Sequence, residues 1–232
     1  MKIGLLECDD VVGRFSHIQG GYREMFAGLL PEFDFAFFPI HQDVFPDKTS
    51  ECDAWIATGS KHAVYEGHAW VARASEFLRE LKKTKQPFVG ICFGHQLLAH
   101  ALGGEVAKAK QGWGAGVLPV EMLRQESWMQ PPRQEVRIQH MHQDQVQRLP
   151  AGSVLLGRSP HCEVAMFRVG ETMLGIEGHP EFTKEFGSAL IEWRRERLGA
   201  ATADAALQSL DRPNDGKTVG SWIARFIRSG RR

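Results

Sequence analysis

Short apolar runs alternate with amphipathic stretches through the first hundred residues of this chain, the pattern of strands and helices taking turns. Ile3 to Leu6 reads as a strand, Gly20 to Leu30 as a helix, and Phe33 to Phe38 and Ala54 to Thr58 as two further strands. Ala69 to Lys82 reads as a helix, and Phe88 to Ile91 as a strand feeding the helical stretch Leu97 to Leu102. Such alternation builds a mostly parallel sheet, because each parallel crossover supplies a helix that covers one face. The second half changes character. Val117 to Met122, Glu135 to Gln139, Val154 to Leu156, Val164 to Phe167 and Met173 to Ile176 are short strands divided by turn residues, which predicts an antiparallel extension of the sheet. Two helices close the chain. The first is Thr183 to Leu198; in the second, Val219, Trp222, Ile223, Phe226 and Ile227 recur at i, i+3, i+4, i+7 and i+8, so one apolar face packs on the body. Gln125 to Arg133, with Pro131-Pro132, is the best candidate for a mobile loop. With no repeat and no low-complexity linker, the expectation is one α/β domain over residues 1–232, a mostly parallel sheet flanked by helices with an antiparallel extension.

The chemistry enters where the fourth apolar run meets a helix. Pro87-Phe88-Val89-Gly90-Ile91 drives into Cys92-Phe93-Gly94-His95-Gln96, the sequence of a nucleophile elbow. A strand that turns this sharply crowds its backbone on both sides of the apex, which explains glycine two residues before and two after the cysteine. Cys92 then caps the positive end of the following helix, a placement expected to lower its thiol pKa. A second segment, Gly178-His179-Pro180-Glu181, joins a short strand to a helix. There a carboxylate two residues from an imidazole can hold the tautomer that a general base needs. His95 is nearer to Cys92 in sequence but has no carboxylate placed to orient it.

Composition excludes other classes. Lys plus Arg and Asp plus Glu both number 28, so no charge imbalance points to nucleic acid or an anionic membrane. The cluster Arg225, Arg228, Arg231 and Arg232 reads as a solvated helix face. No segment approaches the roughly 18 apolar residues of a membrane helix, and the start, Met1 to Glu7, turns acidic too soon for a signal peptide. Cys8, Cys52, Cys92 and Cys162 lack zinc-like or CxxC spacing, and a thiol enzyme favours a reducing compartment, so a cytoplasmic protein is expected. His140 and His142 with Asp144 hint at a metal, but catalytic zinc takes about three protein ligands and the spacing marks no third. Neither a metal nor another cofactor is expected, and nothing resembles a phosphate-binding loop. Cys8, Cys52 and Cys162 read as small buried hydrophobes, and His17, His41, His68, His100 and His161 are assigned no role.

Gly90-Ile91-Cys92-Phe93-Gly94-His95-Gln96 together with His179-Pro180-Glu181 resembles the class I glutamine amidotransferase superfamily, whose domain is flavodoxin-like. Further segments are similar to the stand-alone gamma-glutamyl peptidases within it. They include Gly20-Gly21-Tyr22 in the first helix, Gly59-Ser60-Lys61-His62, Leu102-Gly103-Gly104, His142-Gln143-Asp144 and Glu177-Gly178-His179-Pro180-Glu181-Phe182. The resemblance implies Cys92 as nucleophile, His179 as base and Glu181 as its orienting carboxylate. It implies an oxyanion hole from the amide of Phe93 and the Gly59-Ser60 turn, and substrate contacts at Ser60, Gln96, Gln111, Gly112, Trp113, His142, Gln143 and Asp144. Lys61 and His62 are candidates for the leaving-group side. The implied activity is hydrolysis of gamma-glutamyl amides or peptides through a gamma-glutamyl thioester. The alternative is a glutaminase subunit supplying ammonia to a separate synthetase, since no residues remain for a synthetase in this chain. A third reading, a binding or redox module without activity, is disfavoured by the intact Cys92, His179 and Glu181 set. Two departures fall at the pocket: Gly59-Ser60-Lys61 replaces a double-glycine oxyanion loop, and Glu177-Gly178 replaces a Gln-Phe pair, bringing an acid close to His179.

Overall fold

The computed structural model describes residues 1–11 and 13–230. Its strands are β1 (Lys2–Leu6), β2 (Asp34–Phe38), β3 (Ala54–Ala57), β4 (Phe88–Ile91), β5 (Glu105–Lys108), β6 (Gly114–Met122), β7 (Glu135–His142), β8 (Asp144–Arg148), β9 (Ser153–Arg158), β10 (Met166–Val169) and β11 (Met173–Ile176). The helices are α1 (Ser16–Gln19), α2 (Tyr22–Leu29), α3 (Ala69–Thr84), α4 (Phe93–Ala101), α5 (Lys184–Trp193), α6 (Arg195–Leu198), α7 (Ala200–Ser209) and α8 (Gly216–Ser229). Among the described residues nine strands join in the order β2-β1-β3-β4-β11-β10-β9-β6-β7, while β5 and β8 pair separately. Strands β2 to β11 of that order run parallel, and from β11 outward every pairing is antiparallel. The architecture is the parallel α/β sheet with an antiparallel extension that the hydrophobic pattern predicts.

Both faces of the parallel half are apolar, so its strands read as continuous hydrophobic runs, and each face carries two helices. Ile3, Leu5, Ile56, Val89 and Ile91 pack under Phe26 of α2 and Val219, Trp222, Ile223 and Phe226 of α8. On the opposite face Leu6, Trp55, Ala57 and Phe88 pack against Val71, Ala74, Leu78 and Leu81 of α3 and Phe93, Leu97 and Leu98 of α4. A third cluster joins Val117 of β6 to Phe186, Leu190 and Ile191 of α5 and Ala203 and Ala206 of α7. No helix among the described residues is long and apolar enough to cross a membrane.

Several elements depart from the sequence expectation for identifiable reasons. The first long helix starts at Tyr22, not Gly20, because Gly20 adopts a φ of 79° that no helix contains. Gly21 is the N-cap, its N–H donating to Glu24 Oε2 at 2.7 Å. The strand expected at 164–167 is instead Met166–Val169, because Glu163 to Ala165 form the turn that leads into it. The helix expected at 183–198 breaks at Arg194 into α5 and α6. Helix α7 was invisible to hydrophobic patterning because its buried face is Ala203, Ala206 and Ser209, small residues that let it approach β6, where Ser209 Oγ accepts from the Val117 N–H at 2.8 Å. The short polar pair β5 and β8 was missed as well. The segment 125–133 is anchored: Trp128 and Met129 are buried, the Trp222 indole donates to Pro131 O at 3.0 Å, and Arg168 pairs with Glu126 at 2.9 Å. Arg231 and Arg232 of the basic cluster lie outside the described residues.

Candidate active site

The candidate site forms where neighbouring parallel strands end together. β1, β3, β4 and β11 are adjacent, and the residues just past their C-terminal ends, Asp9, Gly59-Ser60, Cys92 and His179, gather on one edge of the sheet. Open α/β sheets place their ligand crevice at this edge.

Cys92 stands at the apex between β4 and α4 with φ 51° and ψ −102°. A positive φ on a residue with a side chain costs on the order of 1–3 kcal/mol and persists only where the surroundings hold it. Here the Cys92 N–H donates to Ile176 O at 2.9 Å and the Gly94 N–H to Thr58 O at 3.2 Å, so the turn is clamped by β11 on one side and the end of β3 on the other. Neither elbow glycine leaves space for a side chain: a methyl group at Gly90 would overlap the Gly94 carbonyl, and one at Gly94 would lie 2.9 Å from Ala57 Cβ of β3.

His179 enters from the opposite side of the crevice. Its N–H donates to Gln139 O of β7 at 2.7 Å, its Nδ1 lies 2.7 Å from Glu181 Oε1, and its ring stacks on Phe182 with centroids 4.0 Å apart. With Nδ1 turned to the carboxylate, Nε2 is the nitrogen left for a substrate. Gln19, unremarked in the sequence, braces this turn: its amide donates to Glu181 O at 2.6 Å and accepts from the Thr183 N–H at 3.0 Å. Gly59 is where the parts meet. A methyl group there would lie 2.9 Å from His179 Cε1, 3.2 Å from the Tyr22 hydroxyl and 3.8 Å from Cys92 Cβ, so glycine is what leaves space in front of the sulfur.

The electrostatics at Cys92 run against the helix-dipole expectation. Burial, with the nearby Glu181 carboxylate adding to it, pushes the thiol above its usual range, and Arg194 and the Phe93 amide only partly oppose it. Cys92 is 5% exposed, so removing its proton without an acceptor leaves a nearly dehydrated anion. Glu177, 0% exposed, is likewise raised by burial and stays neutral. Gln96 donates to Glu177 Oε1 at 2.8 Å and to Asp144 O at 3.0 Å, and His95 Nε2 lies 3.5 Å from Glu177 Oε2. Burial holds His95 down to about 3, so this contact joins two uncharged groups.

Cys92 lies at the junction of two clefts that share Ser60, Lys61, Met141 and Arg194. One is apolar, walled by Phe15, Tyr22, Phe182, Phe186, Leu190 and Trp193. The other is polar and holds Phe93, Gln96, Trp113, His142, Gln143 and Asp144. Of the expected substrate contacts, Ser60, Gln96, Trp113, His142, Gln143 and Asp144 therefore come together. Gln111 and Gly112 do not line either cleft; the Gln111 amide is turned to His161 O at 2.6 Å. Lys61 is tied to Asp9 through both its ammonium (2.7 Å) and its N–H (2.9 Å), and His62 lies on the polar side, not with the apolar wall.

Two residues that sequence reasoning overlooked stand out. Tyr65 donates to Asp144 Oδ1 across the mouth of the polar cleft. Arg194 lines both clefts beside the sulfur, its guanidinium 5.9 Å from the Trp113 ring and 5.7 Å from the Trp193 ring. Its Nε is buried without a partner, and among the described residues no carboxylate reaches it at ion-pair distance. Burial lowers its pKa, yet a guanidinium remains charged at neutral pH. The break between α5 and α6 puts Arg194 there, and no motif marks such a break.

Comparisons with known proteins give the family and the fold. Gamma-glutamyl peptidase 3 of Arabidopsis thaliana is 29% identical over 183 residues, 75% of this chain and 74% of that protein. Gamma-glutamyl peptidase 4 of the same plant is 30% identical over 182 residues, 75% of this chain and 72% of that one. A glutamine-hydrolysing GMP synthase subunit of Archaeoglobus fulgidus is 34% identical over a shorter 112 residues, 47% of this chain and 61% of its own. A solved glutamine amidotransferase of Thermotoga maritima superposes with a TM-score of 0.76 over 97% of both chains at 20% identity, a likeness of fold. The glutamine amidotransferase class-I family model matches residues 34–194, and the chain belongs to that family.

Proposed function

We propose that the chain is a self-sufficient thiol hydrolase of gamma-glutamyl amide bonds. The observation that carries this reading is the position of Cys92 between a polar cleft and an apolar one, because such a site takes a glutamyl group on one side and a sizeable amine on the other. The glutamyl amino group faces Asp144, and a substrate carboxylate pairs with Arg194, the charged group beside the sulfur that lacks an acidic partner. With the carbonyl oxygen held by the Phe93 amide and the turn at Gly59-Ser60, His179 Nε2 takes the thiol proton as sulfur attacks the carbonyl carbon of the gamma-glutamyl amide. Glu181 stabilises the imidazolium at Nδ1. The C–N bond then breaks, His179 returns the proton to the departing amine, and a gamma-glutamyl thioester remains on Cys92. Water deprotonated by His179 hydrolyses it to glutamate. The raised thiol pKa fits this order, since proton transfer is delayed until a substrate and its oxyanion donors are in place.

A second reading, an ammonia source for a separate synthetase, is favoured by the 34% identity to the archaeal GMP synthase component. The two part company on one assay of the purified chain. A self-sufficient peptidase hydrolyses a gamma-glutamyl dipeptide or glutathione-type substrate with a higher kcat/KM than glutamine. Glutamine as best substrate, or activity only on adding a synthetase, transfers the assignment to the second reading.

A further inference from the structure

The loop between β3 and α3 carries three side chains that the proposed reaction does not use. His62, Glu66 and His68 stand in the spacing His-x3-Glu-x-His. His62 Nδ1 lies 3.2 Å from Glu66 Oε2, and His68 Nε2 lies 3.0 Å from the same oxygen. One potential ligand atom from each residue lies within 4.8 Å of the other two. Ligand atoms on a tetrahedral zinc ion, at bond lengths of about 2.0–2.2 Å, are separated by roughly 3.3 Å. Two of the three separations are thus already near the coordinating value. Two imidazoles and one carboxylate are the donor set of zinc-like ions, whereas magnesium and calcium take oxygen ligands.

The loop is also held in shape without an ion. The Glu66 N–H donates to Ala63 O at 3.2 Å, the His62 N–H to Ser60 Oγ at 3.2 Å, and the Val71 N–H to His68 O at 3.0 Å. Trp70 packs beside both imidazoles, with centroids 6.2 Å from His62 and 6.3 Å from His68. Side-chain exposures of 29%, 43% and 38% for His62, Glu66 and His68 leave the cluster open to an ion from solvent.

We propose that His62, Glu66 and His68 form a binding site for one zinc-type divalent transition-metal ion, with its fourth position open. His62 and Glu66 both line the polar cleft, so the ion sits at the rim of the candidate active site. It ties the Gly59-Ser60 turn, through Ser60 and His62, to the start of α3. Its place is structural: it restrains the segment that supplies an oxyanion donor and takes no proton in the reaction.

The test uses the full chain carrying Cys92→Ala, so that the thiol and His179 do not chelate the ion themselves. Metal-stripped protein is titrated with Zn²⁺ by calorimetry and with Co²⁺ by visible spectroscopy, and its melting temperature is recorded with and without Zn²⁺. One Zn²⁺ per chain, the absorption of four-coordinate Co²⁺ and a Zn²⁺-dependent rise in melting temperature are expected. His68→Ala and Glu66→Gln each weaken binding at least tenfold and remove the rise, while the exposed His17→Ala changes neither. Melting in chelator checks that each variant still folds, and Glu66→Gln, at a half-exposed position, carries the test if His68→Ala does not. Zn²⁺ binding that is undiminished in both variants, or no melting shift in the parent, overturns the site. Turnover is not read, so either result leaves the hydrolase assignment where it stands.

Discussion

At Cys92 the backbone is strained and the side chain is starved of water, and both conditions come from the clamp between β4, β11 and the end of β3. Cys92→Ala is expected to abolish turnover while the fold persists, and a glutamine-like electrophile should add one glutamyl-sized mass at Cys92 alone. His179→Ala should lose several orders of magnitude in kcat, and Glu181→Gln less, since it alters orientation and charge without removing the base. His95 makes a control with a different signature. Its fully buried ring fills space beside Phe167, so His95→Ala should cost about 2–4 kcal/mol of stability with a smaller effect on kcat. If His95→Ala instead matched Cys92→Ala in activity with a native-like melting curve, His179 would not be the base. Glu177 tests the neutral carboxyl. Its folded pKa is raised, so as pH climbs past the ordinary value of 4.5 the unfolded chain releases a proton that the folded chain keeps, and stability falls. Glu177→Gln preserves the acceptor for Gln96 and offers an N–H toward His95. The variant should therefore melt with the parent below about pH 4.5 and increasingly above it toward neutrality. Equal melting from pH 4 to 9 would show that Glu177 is not held neutral.

At the scale of elements, the site depends on how each strand hands over to the next turn or helix. α5 starts shortly past Glu181, and Thr183 caps it, its Oγ1 accepting from the Phe186 N–H at 3.2 Å. Thr183→Ala should cost about 1 kcal/mol. Because the same turn carries His179 and Glu181, the loss should also appear as a lower kcat at unchanged KM, measured beside a denaturant midpoint. Patterning made the parallel strands and α8 legible because each presents a continuous or periodic apolar face. It failed for α7, whose buried side is alanine and serine, and for the break at Arg194, where a cation sits between Trp113 and Trp193 instead of continuing the helix. The segment 125–133 misled for a related reason: two prolines and polar residues read as loop, but Trp128 and Met129 anchor it to the core.

The whole molecule buries more histidine than its neutral surface charge suggests. Burial lowers His95 and His140 to about 3 and pushes His142 well below 6.5. A folded pKa below the unfolded one means that unfolding takes up protons as pH falls from about 6.5 toward 3, and stability is lost over that window. Burial lowers His100 and His161 as well, and Glu177 alone works the other way above pH 4.5, so proton uptake by the histidines outweighs its release between pH 4.5 and 6.5. The urea midpoint should therefore fall steeply on acidification through this range, and more steeply in Glu177→Gln. A flat profile would mean that these imidazoles gain protons while folded.

Sequence by itself determined the fold class and the elbow, because both are written in local terms. A continuous apolar run, a glycine two residues either side of Cys92, and a carboxylate two residues from His179 are features of neighbours in the chain. Only the tertiary structure decided what surrounds them. Cys92 and Glu177 meet because β4 and β11 are adjacent, although the two residues stand 85 positions apart in the chain, and their burial reverses the thiol pKa that a helix N-terminus alone would give. Arg194, Tyr65 and Gln19 reach the site from three other elements, and Gln111 turns away from it, because side-chain direction is set by packing between elements. Spacing along a chain carries no record of that packing.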